Sequence, residues 1–325
     1  MSAKKLEARI SEDFNGKRFD KALAQIFPDF SRARLQDWIK QEKALLDGNP
    51  AQPSTRVKFG QFVELSVEFD PIAASEGQAI PLEVVFEDEH LLVINKPSGL
   101  VVHPGAGNPT GTLMNGLLHY YPELRTVPRA GIIHRLDKDT TGLILIARNL
   151  FAHNLLVKSL EGRLIRREYR AICNDRLVAG DMIDAPIGRD PNHRTRMKVI
   201  SNGKPAVTNY RVLARFRKHS FIGIRLESGR THQIRVHMSY VNCPLVGDPL
   251  YGGRLRVPSG ASNQLTEVLQ SFKRQALHAF QLEFKHPNNG ELLEFEAPLP
   301  LDLLSLLNAL SPESNLNYSA MRWPE

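Results

Sequence analysis

From Ile80 onward the chain is a series of short runs dense in β-branched and apolar residues: "LEVVFED", "HLLVINK", "GLILIA", "REYRAI", "FIGIRLE" and "LLEFEA", separated by Gly and Pro. Helical spacing interrupts them only around residues 112–121, 149–160, 231–241 and 301–310. Strands and helices therefore do not alternate as a doubly wound fold requires. The pattern predicts an α+β domain on a mixed, mainly antiparallel sheet with flanking helices. At 325 residues there is room for a second domain. Between residues 17 and 47, Phe19, Leu23, Ile26 and Phe27, then Leu35, Trp38 and Ile39, are spaced as two short helices, with Pro28 breaking the first and Ser31 placed to cap the second. A turn at "DGN" and the alternating "QFVELSVEF" follow. Residues 1–70 thus read as a small α/β domain, 71–79 as a linker, 80–310 as the large domain and 311–325 as a C-terminal tail.

Several classes of function are excluded early. The longest apolar runs fall far short of the ~18 residues that span a bilayer. The lysines of "MSAKKLEARISEDF" precede no apolar stretch, so no secretory signal is predicted and a cytoplasmic location is expected. Cys173 and Cys243 lie far apart without metal-type or redox-type partners, which suits a reducing compartment. The net charge of +7 is unevenly spread. Between Glu161 and Arg235 stand 17 Lys and Arg against 7 Asp and Glu, more than the whole net charge, which points to a nucleic-acid surface there.

"HPGAGNPTGT" at 103–112 has phosphate-loop glycines but no lysine after the last of them, and reads as a structured turn. "THQIRVH" sets His232 and His237 five apart, off a common helix face and without a zinc-protease Glu, so no metal site is expected. "HRLDKDTTG" at 134–142 is harder to dismiss. Read alone, Asp137 and Asp139 are turn residues and Thr140 and Thr141 bond local backbone. "ESGRTHQIRVHMSYV" at 227–241 follows a strand. Thr231 is positioned to cap a short helix, and the stripe Ile234, Met238, Val241 leaves Arg235 on another face, able to meet a buried carboxylate.

Taken in order, "GIIHRLDKDTTGLILIAR", "REYRAI", "GRTHQIRVHM" and "PLVGDPLYGG" resemble the successive signatures of the RluA family of pseudouridine synthases over nearly the whole chain. The N-terminal "RFDKALAQIFPDFSRARLQDWI…LLDG" resembles the RNA-binding domain named after small-subunit ribosomal protein four. The resemblance implies the pseudouridine synthase fold, no cofactor and an isomerisation. The bond from ribose to uracil is broken, the base turns, and ring carbon 5 is joined to the sugar. Glycosidases need two carboxylates; uracil leaves more readily and is retained, so one can suffice. By resemblance that one is Asp137, acting as nucleophile or base, and Arg235 is the arginine paired with it. Tyr169 is the active-site tyrosine, and Arg135 takes the space of the flipped base. Arg167 and Arg230, with Arg18, Lys21, Arg32 and Arg34 of the small domain, are expected to meet RNA. The implied partner is large-subunit ribosomal RNA, at the hairpin loop facing the small subunit, with the protein a monomer and no membrane involved. A transfer-RNA enzyme of the same family and a non-enzymatic ribosome-assembly factor are the alternatives.

Overall fold

The computed structural model describes residues 4–27, 30, 32–67, 76–105, 107–193, 195–312 and 316–324. Pro28 and Ser31 therefore lie outside the described residues, as does most of the expected linker.

The N-terminal region contains β1 (Lys4–Arg9), α1 (Phe19–Ile26), α2 (Arg32–Lys40), β2 (Ala44–Leu46), β3 (Asn49–Pro50) and β4 (Phe62–Val67). Its antiparallel sheet runs β1-β4-β2-β3. Phe19 and Leu23 of α1 and Leu35 and Ile39 of α2 are spaced four apart, one helical turn, and close a core with Val63 and Leu65 of β4. The expected turn links β2 to β3, with Asp47 and Gly48 both left-handed (φ 52° and 75°), the conformation that matches the twist of a tight hairpin.

The large region contains β5 (Val84–Glu87), β6 (Leu91–Lys96), α3 (Leu113–Tyr120), β7 (Thr141–Ala147), α4 (Leu150–Glu161), β8 (Arg166–Asn174), β9 (Asp181–Asp184), β10 (Ile187–Arg189) and β11 (Met197–Val199). There follow β12 (Val207–Arg215), β13 (His219–Leu226), α5 (Gln233–Tyr240), α6 (Asn263–Ser271), β14 (Leu277–Lys285), β15 (Leu292–Glu296) and α7 (Leu301–Leu310). One nine-stranded sheet runs β5-β6-β7-β14-β8-β13-β12-β9, with β15 beside β14, while β10 and β11 pair separately. This is the α+β arrangement expected, and among the described strands the one parallel pairing joins β7 to β14.

β7 is buried throughout because both faces of the sheet are covered. Ile144 and Ile146 pack with Leu113 and Leu117 of α3. Leu143 and Leu145 face the other way, toward Ala152 and Leu156 of α4. The parallel pairing is short, His278 to Thr141 and Ala279 to Gly142. Gly142 has φ +107°, and a Cβ there would stand 2.1 Å from the Ala279 carbonyl oxygen, so only glycine permits the approach.

Three segments depart from the expected picture. Helix α6 was not anticipated, although Ser262 caps it by accepting the Leu265 N–H at 3.1 Å. Residues 76–78 are already docked on α3: Asn115 donates to the Glu76 carbonyl and Gln78 N–H donates to the Asn115 carbonyl. The end of the chain is packed, with Tyr318 buried against Phe221 and the Arg225 guanidinium 4.2 Å over the Trp323 ring.

Candidate active site

The segment before β7 brings Arg135, Leu136 and Asp137 to one cleft of roughly 570 Å³. Leu136 is buried and packs into the core, which anchors the segment between its two charged neighbours. The loop around them is fastened by groups far away in sequence. Lys96, fully buried at the end of β6, donates to the carbonyls of Pro97, Leu100 and Lys138 at 2.8–2.9 Å. Burial pushes the Lys96 ammonium down to about 7, opposed by the nearby Asp139 and Asp137 charges. Thr140 accepts from Gln275 at 2.9 Å, and Thr141 meets His278 Nδ1 at 2.8 Å. These hydroxyls thus bind side chains across the fold, not local backbone. His134 accepts the Leu145 N–H at 3.2 Å, a role its sequence setting did not suggest. Loss of solvent holds its ring down to about 3, keeping it neutral as an acceptor must be. Asp139 sits in the turn with its carbonyl bonded by Arg274, on the side away from the cleft.

Opposite Asp137 stands α5. Its cap is not Thr231 but His232, in the left-handed conformation (φ 56°, ψ 21°) without a side-chain cap bond. Gln233 does the fastening instead, its side-chain Oε1 accepting the Arg230 N–H at 3.0 Å and the Ser228 hydroxyl at 2.8 Å. Arg235 then extends from the first turn toward two carboxylates. Its Nε and Nη2 donate to Asp248 at 2.7 and 2.9 Å, and its Nη1 donates to Asp137 Oδ2 at 2.9 Å. Burial works against the Arg235 charge, but the bonds to Asp248 and the two negative charges outweigh it and raise its pKa. Asp248 is itself fixed by accepting the backbone N–H groups of Leu250 and Tyr251. Asp137 keeps its second oxygen on the cleft side, with a side chain 17% exposed where that of Asp248 is closed off.

Tyr169, on β8, forms part of the cleft wall. It is buried, which raises its pKa. Arg167, two residues earlier and on the same face, also lines the cleft. It is only 6% exposed, and its Nε has no hydrogen-bond partner among the described residues. Arg135 and Arg230 stand exposed at the rim, the latter donating to the Pro205 carbonyl at 3.1 Å. Part of the basic excess of this region is neutralised internally, since Arg170 and Arg225 both pair with buried Glu168, and Arg163 pairs with Glu227.

In the N-terminal region Arg18 and Arg32 converge on buried Asp20, at 3.0 and 2.6 Å, while their own side chains stay 41% and 46% exposed. Gln36 also donates to Asp20. Lys21 is exposed, and the side chain of Arg34 lies outside the described residues.

Sequence reasoning brought Asp137, Arg235 and Tyr169 to one site, and the structure gathers them there. It missed Lys96, Asp248, Tyr251 and His232. Of these, Asp248 left a signal: an acidic residue within the apolar and small "PLVGDPLYGG" is set to be buried and needs a cation.

Residues 90–240 match the family model for RNA pseudouridylate synthase, and residues 17–63 match the S4 domain. Proteins named ribosomal large subunit pseudouridine synthase D are similar over almost the full chain. That of Vibrio parahaemolyticus is 52% identical over 92% of both chains, and that of Escherichia coli strain K12 is 49% identical over 98% of both. The solved structure of human RNA pseudouridylate synthase domain containing 4 is 27% identical, with a TM-score of 0.55 over 70% of this chain and 92% of that one. The chain belongs to the RluA family of pseudouridine synthases and carries an S4 domain. Among the described residues no helix is long and apolar enough to cross a membrane.

Proposed function

We propose that this chain isomerises specific uridines of large-subunit ribosomal RNA to pseudouridine, at the hairpin loop facing the small subunit, acting as a cytoplasmic monomer with Asp137 as the reacting carboxylate. The observation that carries this reading is the asymmetry of Asp137, one oxygen bound by Arg235 and the other turned to the cleft. Arg235 fixes the orientation of this carboxylate and leaves its other oxygen free to meet substrate. The reaction conserves atoms and oxidation state. The bond between the sugar and ring nitrogen 1 breaks, a bond to ring carbon 5 forms, and one proton leaves that carbon while one joins the nitrogen, so no cofactor is needed. Tyr169 offers its ring face to the uracil. Arg135 fills the gap left in the RNA stack, where a planar cation both stacks and pairs with phosphate. Arg167 and Arg230 meet the backbone of the flipped nucleotide, and Arg18, Lys21, Arg32 and Arg34 give the S4 domain its phosphate contacts.

The test is to incubate the protein, and its Asp137→Asn variant, with unmodified ribosomal RNA, ribosomal subunits and transfer RNA, and to map pseudouridine by chemical labelling and primer extension. New pseudouridine in large-subunit RNA with the wild type alone is expected. Modification confined to transfer RNA would overturn the substrate, and activity in the variant would overturn the role of Asp137.

A further inference from the structure

His232 is a side chain at the reacting carboxylate to which the chemistry above gives no task. It lines the cleft, and its Nε2 lies 3.9 Å from Asp137 Oδ1, the oxygen that Arg235 leaves unclaimed. That gap is too long for a direct hydrogen bond. One oxygen placed ~2.8 Å from each atom closes it, with an angle of about 90° at that oxygen.

The donor and acceptor sense of the ring follows from its other nitrogen. The Tyr251 hydroxyl oxygen accepts the Met197 N–H at 2.8 Å and stands 2.9 Å from His232 Nδ1. Among the described residues Nδ1 is the one acceptor for the phenolic proton. Directing that proton to Nδ1 puts the ring proton of a neutral His232 on Nε2. Burial favours the neutral ring, as do the Arg235 and Arg135 charges, against the pull of Asp137 and Asp248. The Tyr251 ring packs edge-on at 5.7 Å and fixes the imidazole plane. The left-handed backbone at His232, rare for a residue with a side chain, aims the ring into the cleft.

We propose that His232 and Asp137 together hold the ribose 2′-hydroxyl of the flipped nucleotide, which accepts a hydrogen bond from His232 Nε2–H and donates its own O–H to Asp137 Oδ1. The donors then run in one direction, from Met197 N–H through Tyr251 and His232 to the sugar and on to the carboxylate. No other single group of the substrate, adjacent to the reacting sugar carbon, both accepts and donates at one oxygen. The site therefore selects ribose over deoxyribose at the nucleotide it modifies, by the group that distinguishes RNA from DNA. This rests on the reading of Asp137 as the reacting carboxylate.

The experiment compares single-turnover rates on an RNA fragment carrying the mapped target uridine and on the same fragment with 2′-deoxyuridine at that position. Each is run with the wild type, His232→Phe and Tyr251→Phe. The intrinsic lability of the deoxy substrate cancels between enzymes. The deoxy substitution should slow the wild type at least about tenfold more than it slows His232→Phe, the scale of coupling found between contacting groups. Tyr251→Phe, which frees the imidazole tautomer, should fall between them. An equal deoxy penalty in wild type and His232→Phe overturns the proposal. If His232→Phe does not melt as a folded protein, an undiminished penalty in Tyr251→Phe does so. A wild type that modifies no RNA removes the Asp137 reading, and this inference falls with it.

Discussion

Two clusters of arginine and aspartate, one in each region, are built from the same groups with opposite results. In the S4 domain the carboxylate is buried and the arginines are not. Asp20 is fully enclosed, and Arg18 and Arg32 close over it while staying nearly half exposed. In the cleft the arginine is buried, shared between enclosed Asp248 and accessible Asp137. A buried ion is tolerated only when its partners satisfy it, so in each case the interior member is spent on structure. What remains for the outside is positive charge in the first cluster and a carboxylate oxygen in the second. An outward positive surface and an accessible carboxylate thus come from one design, inverted.

The largest way to break this contrast is at the accessible carboxylate. Asp137→Asn should keep the fold, leaving Arg235 still bound to Asp248, and lower the single-turnover rate at least about 10³-fold. Asp248→Asn attacks the enclosed partner. Breaking a buried pair leaves Arg235 under-compensated, and unfolding free energy measured in urea should drop by about 3–5 kcal/mol.

Acid should separate the regions. Burial pushes His278 and His219, both in the large domain, down to about 4 from 6.5. Between those pH values the unfolded chain holds protons that the folded one does not, so stability falls as pH drops from 6.5 to 4, by on the order of 3 kcal/mol per ring. Asp20 is shifted the other way: burial opposes its charge, but bonds from Arg18, Arg32 and Gln36 prevail and hold its carboxyl well below 3.8. Its contribution survives until the pH falls below 3.8. Trp38 lies in the S4 core and Trp323 on the large domain, so Trp323→Phe and Trp38→Phe variants report each region by fluorescence. The Trp323 signal should change at the higher pH; coincident midpoints would merge the two regions into one cooperative unit.

The smallest effect is expected from Asp20→Asn. It should cost about 1–3 kcal/mol in the S4 domain, weaken RNA binding a few-fold by releasing Arg18 and Arg32, and leave the single-turnover rate at saturating RNA unchanged.

Local patterns were legible in the sequence where one segment carried its own signal. The apolar runs of β6 and β7 and the helical spacing of α3, α4 and α7 were readable for that reason. Asp137 and Arg235 could be paired only by taking two motifs together, since the contact spans 98 positions. Strand β14 went unnoticed because His278, Gln281 and Glu283 break its apolar run, and their environment is set by neighbours from elsewhere in the chain. The same holds for Lys96. It looks like a solvated lysine at a strand end, and its burial depends on carbonyls up to 42 positions away. The left-handed start of α5 was hidden because a Thr before a helical run reads as an ordinary cap, and the Gln233 bonds that replace it are formed in three dimensions.

The close passage of Gly142 against Ala279 also sets an order of events during synthesis. The loop that carries Asp137 rests on Gln275, His278 and Ala279 and on Arg235. All of these leave the ribosome well after Asp137 itself. At the ~5–20 residues per second of translation, the interval is on the order of ten seconds. The nascent chain can thus complete its S4 domain, with its outward arginines, while Asp137 still lacks its partners. Each molecule finishes its small domain well before the cleft of its synthase domain can close.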